Sequence, residues 1–349
     1  MAHPRDQITQ LLNDGVRERV FPGAVWAIGD ATSTLLSGTC GLADPTDPAS
    51  AMRADTLFDV ASLTKILAAW ACIGSLWEDG ALPLDDPLAT FWPEVSGHPL
   101  GHATARHLLT HTAGMPLRAN LKHLYGTDPR TVRDGVLREA LHRPIGEAVD
   151  YTDRASLVLG YLAEYLTGRP LDHLAQHRIW QPLLMNSTRF GPLPAALIER
   201  CTPTELDPDT DTGVHLKGVA HDFSARLLNG VCGIAGVFSA VDDLALFQRH
   251  LLAPTPGPDP VGFGPAWVTE SLQIHTGDLT PARGLFWYPA SGTAPEAGIY
   301  VHYGFTGTGL WISRKQNRWA VLLTNKLYYS RDRKPLSGIR RTFCALAFD

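Results

Sequence analysis

The sequence predicts an α/β fold (α+β in its segregation): an antiparallel sheet flanked by helices, built from both ends of the chain and interrupted by an all-helical insertion. Three observations carry this. Alternating apolar segments that read as hairpins lie near both termini, helical texture with proline-rich joints fills the middle, and no internal repeat is present. The expected division is residues 1–58 with 214–349 for the sheet and residues 59–213 for the mainly helical part.

Each element has its own signal. Ile8, Leu11, Leu12 and Val16 fall at helical spacing, so residues 6–19 read as an amphipathic helix. GAVWAIGDATSTLLSG reads as two strands around a Gly29-Asp30 turn. An apolar helix over residues 59–79 follows, with Asp55, Thr56 and Asp59 available to cap it. ARHLLTHTAGMP reads as a short helix ended by Gly114 and Pro116, and DRASLVLGYLAEYLTG as a longer one stopped by Gly168. TPTELDPDTDTG and PTPGPDPVGFGP are polar, proline-rich loops on either side of a helix at VDDLALFQRHLL. GLWISRKQNRWAVLLTNK alternates around RKQN as a hairpin, and GIRRTFCALAF closes the chain as a helix.

Composition narrows the function. The 349 residues are 44% hydrophobic and 19% charged, ordinary for a globular enzyme with a full core. A net charge of −5 without basic runs argues against nucleic acid or an anionic membrane as partner. Cys40, Cys72, Cys201, Cys232 and Cys344 are scattered, odd in number and free of C-x-x-C, which points to reduced thiols. The polar N-terminus has no secretory pattern and no run has the length of a membrane span, so the expected location is cytoplasmic.

The chemistry-bearing stretch is FDVASLTKILAAW. Ser62 and Lys65 stand three apart at the head of an apolar helix, a spacing that puts both on one face. A serine hydroxyl is a poor nucleophile until a base takes its proton, and a lysine serves as that base only when its pKa falls. Burial and the positive field of a helix N-terminus would both lower it, and the same N-terminus offers N–H groups to an oxyanion. The bland alternative makes Ser62 a helix-start residue and Lys65 a lysine that snorkels to the surface.

The surrounding motifs extend the pattern. TLFDVASLTK, LPLDDPLATFWPE, ARHLLTHTAGMP, DYTD, GVAHDFSARLLNGVCGIAGVFSAVDDLALF and VHYGFTGTGLWI occur in that order from about residue 20 to 327. Together they resemble the serine β-lactamase and penicillin-binding-protein superfamily, in its class C β-lactamase-like branch, which also holds esterases, D-amino-acid peptidases and acyltransferases. The resemblance implies a β-lactamase/transpeptidase-like fold with the active site between sheet and helical parts. It implies that Ser62 is the transiently acylated nucleophile and Lys65 its base. Tyr151 would pass protons to or from the leaving group, helped by Lys65 and a protonated His302 in the place of the third motif's cation. Gly304 would let substrate approach the strand, and the N–H groups of Ser62 and Phe305 would form the oxyanion hole.

Several positions depart from that pattern. Asp153 stands where the family has asparagine; it is either an N-cap for the following helix or a carboxylate that enters the site, pairs with Lys65 and raises its pKa. An entering carboxylate would also select a substrate bearing an N–H or a cation, and either effect discounts efficient penicillin hydrolysis. Tyr303 replaces a small residue and would narrow the pocket, and Ile234 makes one wall more apolar. Trp287 and Tyr288 belong to core or pocket wall. His302 has a second reading as a satisfied strand histidine, and Tyr151 as a packing residue at a helix start. His98, His102, His107 and His111, spaced four apart in pairs, invite a metal reading, but H-E-x-x-H is absent and no carboxylate is placed beside them. No metal or cofactor is therefore expected.

The function expected is that of a serine acyl-enzyme hydrolase, esterase-like, acting on an ester or amide of a small-molecule or peptide-like acyl substrate, free or carrier-bound. A biosynthetic acyltransferase using the same Ser62, Lys65 and Tyr151 is the alternative, and a non-catalytic binding module the third reading. The loops at 117–130 and 255–265 are expected to influence substrate choice. The sequence sets no oligomeric state.

Overall fold

The computed structural model describes residues 3–117, 120–253 and 260–349. Six antiparallel strands form the main sheet in the order β2-β1-β9-β8-β7-β6. They are β1 (Gly23–Gly29), β2 (Thr34–Gly41), β6 (Tyr288–Pro289), β7 (Tyr300–Tyr303), β8 (Gly309–Ser313) and β9 (Arg318–Thr324). The first strand therefore lies beside the last, with Ala24 opposite Thr324 and Gly29 opposite Trp319. A second small sheet joins β3 (Phe58–Asp59), β5 (Val237–Ser239) and β4 (Arg189–Phe190) beside the helical part.

Side-chain alternation along the strands explains the layering. Trp26, Ile28, Val301, Trp311, Ala320 and Leu322 face a cluster with the helices Pro4–Arg17 and Lys334–Phe348. Val25, Ala27, Leu310, Ile312, Val321 and Leu323 face the opposite way, into the large core shared with the helix Val241–Leu252 and the helical segments. A strand with both faces buried alternates between two cores, not between core and water. The same alternation sends His302 toward the helical part and Tyr303 toward the C-terminal helix.

The apolar stretch at 59–79 is not one uniform helix. It is a 3₁₀ turn at Ala61–Leu63, a π-helix at Lys65–Trp70 and an α-helix at Ala71–Glu78. Of the three residues available for capping, Asp59 accepts a bond from Ala61 N–H at 2.9 Å. The helix of ARHLLTHTAGMP ends early, at Leu109, because His111 takes a left-handed φ of 59°. The helix Asp153–Thr167 stops at Gly168 with φ 64°, where glycine carries no steric cost. The closing helix begins at Lys334, four residues before Gly338. Trp70 anchors the helical core through ring contacts with Phe247, Phe263, Trp267 and Trp287. That settles Trp287 as core, whereas Tyr288 borders the cleft.

Gly233 sits where two segments meet: a Cβ there would lie 2.0 Å from the carbonyl oxygen of Ser156. Gly233→Ala is expected to cost about 1–3 kcal/mol, the usual scale of overpacking, read as a lowered urea midpoint; an unchanged midpoint would show that the two segments separate freely.

Candidate active site

The nucleophile segment is held from below by a buried carboxylate. Asp59 closes β3, and besides Ala61 N–H it accepts the backbone N–H of His221 at 2.8 Å and His221 Nδ1 at 3.0 Å. Burial works against the charge on His221, but Asp59 outweighs it and raises the pKa of the imidazole. Ala61 takes φ 50°, a left-handed conformation that costs a non-glycine residue energy and turns Ser62 toward the cleft. This local strain next to the reactive hydroxyl is held by Asp59 on one side and by Thr306 and Thr308 on the other. Thr306 Oγ1 donates to the Asp59 carbonyl at 2.7 Å, and Thr308 Oγ1 to the Val60 carbonyl at 3.0 Å.

Lys65 lies one turn on, with its side chain wholly buried. Its Nζ donates to Ser62 Oγ at 3.1 Å, to Asp153 Oδ1 at 2.8 Å and to the Ile234 carbonyl at 3.1 Å. Asp153 Oδ1 and the Ile234 carbonyl only accept, whereas the Ser62 hydroxyl both gives and takes, so the contacts suit an ammonium donating three bonds or an amine donating two and accepting from Ser62. Burial pulls the Lys65 pKa down, but the charges of Asp153 and Tyr151 overcome it, and the net shift is upward. That direction runs against the expected neutral amine: Asp153 favours a lysine cation at this position. Asp153 is not the N-cap of its helix either. Thr152 takes that place, accepting Arg154 N–H at 3.2 Å, and Asp153 in the first turn reaches into the site.

Tyr151 stands at the mouth of the same cluster, 41% exposed, with Lys65 Nζ 5.4 Å from its ring centroid. His111 fixes it from behind. The imidazole lies 4.6 Å from the Tyr151 ring, its carbonyl accepts Asp150 N–H at 2.9 Å, and its Nδ1 accepts Thr152 N–H at 3.4 Å. Both residues flanking Tyr151 are therefore tied to one histidine. Burial, reinforced by the charges of Arg283 and Lys65, drives the His111 pKa well down, which keeps it neutral and able to accept.

The third segment brings His302, Tyr303, Gly304 and Phe305 along the cleft wall. His302 is not the expected cation. It is 1% exposed, its Nδ1 donates to the Phe286 carbonyl at 2.7 Å, and burial together with Lys65 and Arg283 takes its pKa down to about 3. Phe286 meets that imidazole through a left-handed φ of 63°. Gly304 lines the cleft and also meets a packing requirement: a Cβ would lie 2.1 Å from Thr308 Oγ1 and 2.4 Å from the Val60 carbonyl. Phe305 stacks on His221 at 5.7 Å, with the Arg331 guanidinium 5.0 Å from its ring. Tyr303 packs against Trp311 and Arg340, so its bulk is spent largely on the far side of the strand.

Ser62, Tyr151, Asp153, His302, Tyr303, Gly304 and Phe305 line one cleft of about 1150 Å³, with Lys65 beneath its floor. Asp153, Asp209 and Asp222 make part of the wall acidic, while Arg331, Arg333 and Arg340 make another part basic. From the 117–130 region Leu117, Asn120, Leu121, Lys122 and Thr127 reach the cleft. In the other loop residues 255–259 lie outside the described residues, and Phe263 is buried against Trp70 and His250, away from the cleft. The wall at Ile234 contributes a backbone carbonyl to Lys65, a role its side-chain identity does not reveal. Asp59 was readable only as a helix cap and His111 only as one of four spaced histidines. Arg283, beside Tyr151 at 5.9 Å, carried no signal at all. Of the other histidines, His107 closes a capping box with Thr104.

A family model described as Beta-lactamase matches residues 8–341. The chain is 30% identical over 306 residues to a protein of Escherichia coli (strain K12) named "Putative D-alanyl-D-alanine carboxypeptidase", covering 78% of this chain and 69% of that one. Among solved structures it is similar to a class C beta-lactamase from Rhodobacter sphaeroides, with a TM-score of 0.76, 20% identity and 97% of each chain covered. It is also similar to EstCE1, described as a hydrolase with promiscuous acyltransferase activity, with a TM-score of 0.74, 20% identity and 97% and 98% of the two chains covered.

Two outcomes follow from the charges. In Asp153→Asn the buried Lys65 loses its counter-charge and its pKa falls, so the alkaline limb of the pH–kcat/KM profile for an ester substrate, where the ammonium gives up its proton, is expected to move to lower pH by about one unit or more; an unmoved alkaline limb would contradict the pairing. His302 has a folded pKa below its unfolded value, so between pH 6.5 and about 3 the unfolded chain binds the extra proton. Its stabilisation is present above 6.5 and is lost as pH falls, at about 1.4 kcal/mol per pH unit for one proton. His302→Gln is expected to flatten the loss of urea stability between pH 6.5 and 5, and an unaltered slope would assign that loss elsewhere.

Proposed function

Because this chain belongs to the Beta-lactamase family and is a serine hydrolase, we propose that it hydrolyses an ester or amide of a small-molecule or peptide-like substrate through an acyl group carried on Ser62. The single observation that carries the reading is the bond from buried Lys65 Nζ to Ser62 Oγ at 3.1 Å, inside a cleft shared with Tyr151. An ammonium donating to Oγ stabilises the alkoxide that forms there, and leaves the hydroxyl proton free to depart toward another base.

Tyr151 is that base. Acting in this reading as a phenolate, it takes the Ser62 proton while Oγ bonds to the substrate carbonyl carbon and the carbonyl π pair moves onto oxygen. The N–H groups of Ser62 and Phe305, on the same cleft wall, receive that oxyanion. When the tetrahedral species collapses, the bond to the leaving group breaks and Tyr151 returns its proton to the departing oxygen or nitrogen. Water then attacks the acyl carbon, again losing its proton to Tyr151, and Ser62 leaves with that proton. Lys65 keeps its own protons throughout and supplies charge. No metal or organic cofactor takes part in these steps.

Transfer to an amine or alcohol acceptor in place of water is the second reading, favoured by one feature: the cleft of about 1150 Å³ exceeds the usual range for a single small ligand. The partition is read by adding alcohol acceptors during p-nitrophenyl ester turnover and following acyl product against free acid.

Intact-mass analysis after exposure to a p-nitrophenyl ester or a fluorophosphonate is expected to show one adduct on the wild-type chain and none on Ser62→Ala. An unmodified, folded wild-type chain would favour a binding module without turnover. Tyr151→Phe is expected to lower acylation by about 10²–10⁴-fold, the range for a general acid–base group, with ester binding little changed.

A further inference from the structure

The strand position that ought to carry a cation is neutral here, since His302 is buried and donates its Nδ1 proton to a carbonyl. Positive charge enters the site from another element. Arg283, in the turn before β6, places its guanidinium carbon 4.2 Å from the Tyr288 ring centroid and 5.9 Å from that of Tyr151. Arginine stays charged even in such surroundings. The residue is 9% exposed, and among the described residues its Nε and Nη1 hydrogen-bond to no group. Among the described residues no carboxylate pairs with it, and two tyrosines, Tyr288 and Tyr151, favour its charge.

The backbone beneath it is fixed. Arg283 N–H donates to Thr276 Oγ1 at 3.0 Å, and its carbonyl accepts His275 N–H at 2.8 Å. Gly284 N–H donates to the Trp287 carbonyl at 2.8 Å, and a Cβ on Gly284 would lie 2.2 Å from the Ser271 carbonyl oxygen. The guanidinium therefore lies over the Tyr288 ring and within 5.9 Å of that of Tyr151, carried by a turn whose backbone is tied down. Its charge also opposes protonation of both His111 and His302.

We propose that Arg283 is a positioning residue for Tyr151, whose uncompensated guanidinium stabilises negative charge on the phenol oxygen in place of a cation on β7. The proposal rests on the acyl-enzyme reading above. Among the described residues Lys65, His111 and Arg283 lie against the Tyr151 ring and Tyr288 acts on it through charge; with the imidazole neutral, the cations among these are Lys65 and Arg283. Two cations beside the phenol favour transfer of the Ser62 proton to its oxygen more than Lys65 alone, whose charge is already shared with Asp153.

The test uses the full chain with Arg283→Met, Arg283→Lys and Arg283→Ala. The rate of Ser62 acylation by p-nitrophenyl acetate is followed against pH, with the acyl group located by intact mass and folding checked by thermal melting. Arg283→Met is expected to slow acylation about 10–100-fold at pH 7 and to move the ascending limb to higher pH by the corresponding one to two units. Arg283→Lys is expected to recover most of the rate, and added guanidinium to accelerate Arg283→Ala. A folded Arg283→Met with the wild-type rate and limb overturns the proposal and leaves the acyl-enzyme reading standing. A wild-type chain that takes no acetyl group on Ser62 overturns both. If Arg283→Met does not fold, guanidinium decides: acceleration of Arg283→Ala supports the proposal, and no acceleration overturns it.

Discussion

A buried ammonium organises this molecule. Lys65 sits with no exposure among Ser62 Oγ, Asp153 and the Ile234 carbonyl, which come from three separated stretches of chain. A charge taken out of water is tolerated only when its donors are satisfied, so these three segments must meet at one point or the amine must lose its proton. The requirement links the helix that carries Ser62, the helix that begins at Asp153 and the glycine-rich stretch around Gly233. Packing supports it: Gly233 lies against the Ser156 carbonyl with no room for a side chain, which holds the Ile234 carbonyl over Nζ.

Three of the seven non-glycine left-handed residues among those described lie around the same point. Ala61, His111 and Phe286 all have left-handed φ without being glycine, at 50°, 59° and 63°. Ala61 turns the nucleophile, His111 braces both neighbours of Tyr151, and Phe286 offers its carbonyl to His302. Each is held by buried hydrogen bonds: Asp59 to Ala61, the Asp150 N–H to the His111 carbonyl, and the Leu109 carbonyl to Phe286 N–H. Strained positions of this kind survive where the surroundings over-determine them, and here they fix the directions of three groups on the cleft.

Much of the architecture was readable in the sequence because it rests on local periodicity. The strands at 23–41 and 309–324 follow period-two alternation, and the helices Val241–Leu252 and Asp153–Thr167 follow their apolar spacing and the Gly168 stop. The helix at 59–79 was read as uniform because apolar runs do not distinguish 3₁₀, α and π winding. Ordered motifs named the side chains that meet in the cleft, but not their protonation. Whether Lys65 is charged depends on Asp153, which lies 88 positions away, and whether His302 is charged depends on burial under Phe286. Arg283 was invisible for the same reason: its importance comes from which rings enclose it, and no spacing records that.

The account depends most on the charge of Lys65. Nitrogen-15 NMR of lysine-labelled protein, with the Lys65 Nζ resonance assigned by its loss in Lys65→Arg, reads that charge directly. An ammonium resonance persisting at pH 7–9, and moving toward the free amine at neutral pH in Asp153→Asn, is the predicted result. A neutral amine at pH 7 in the wild-type chain would contradict the arrangement described here and restore lysine as the base.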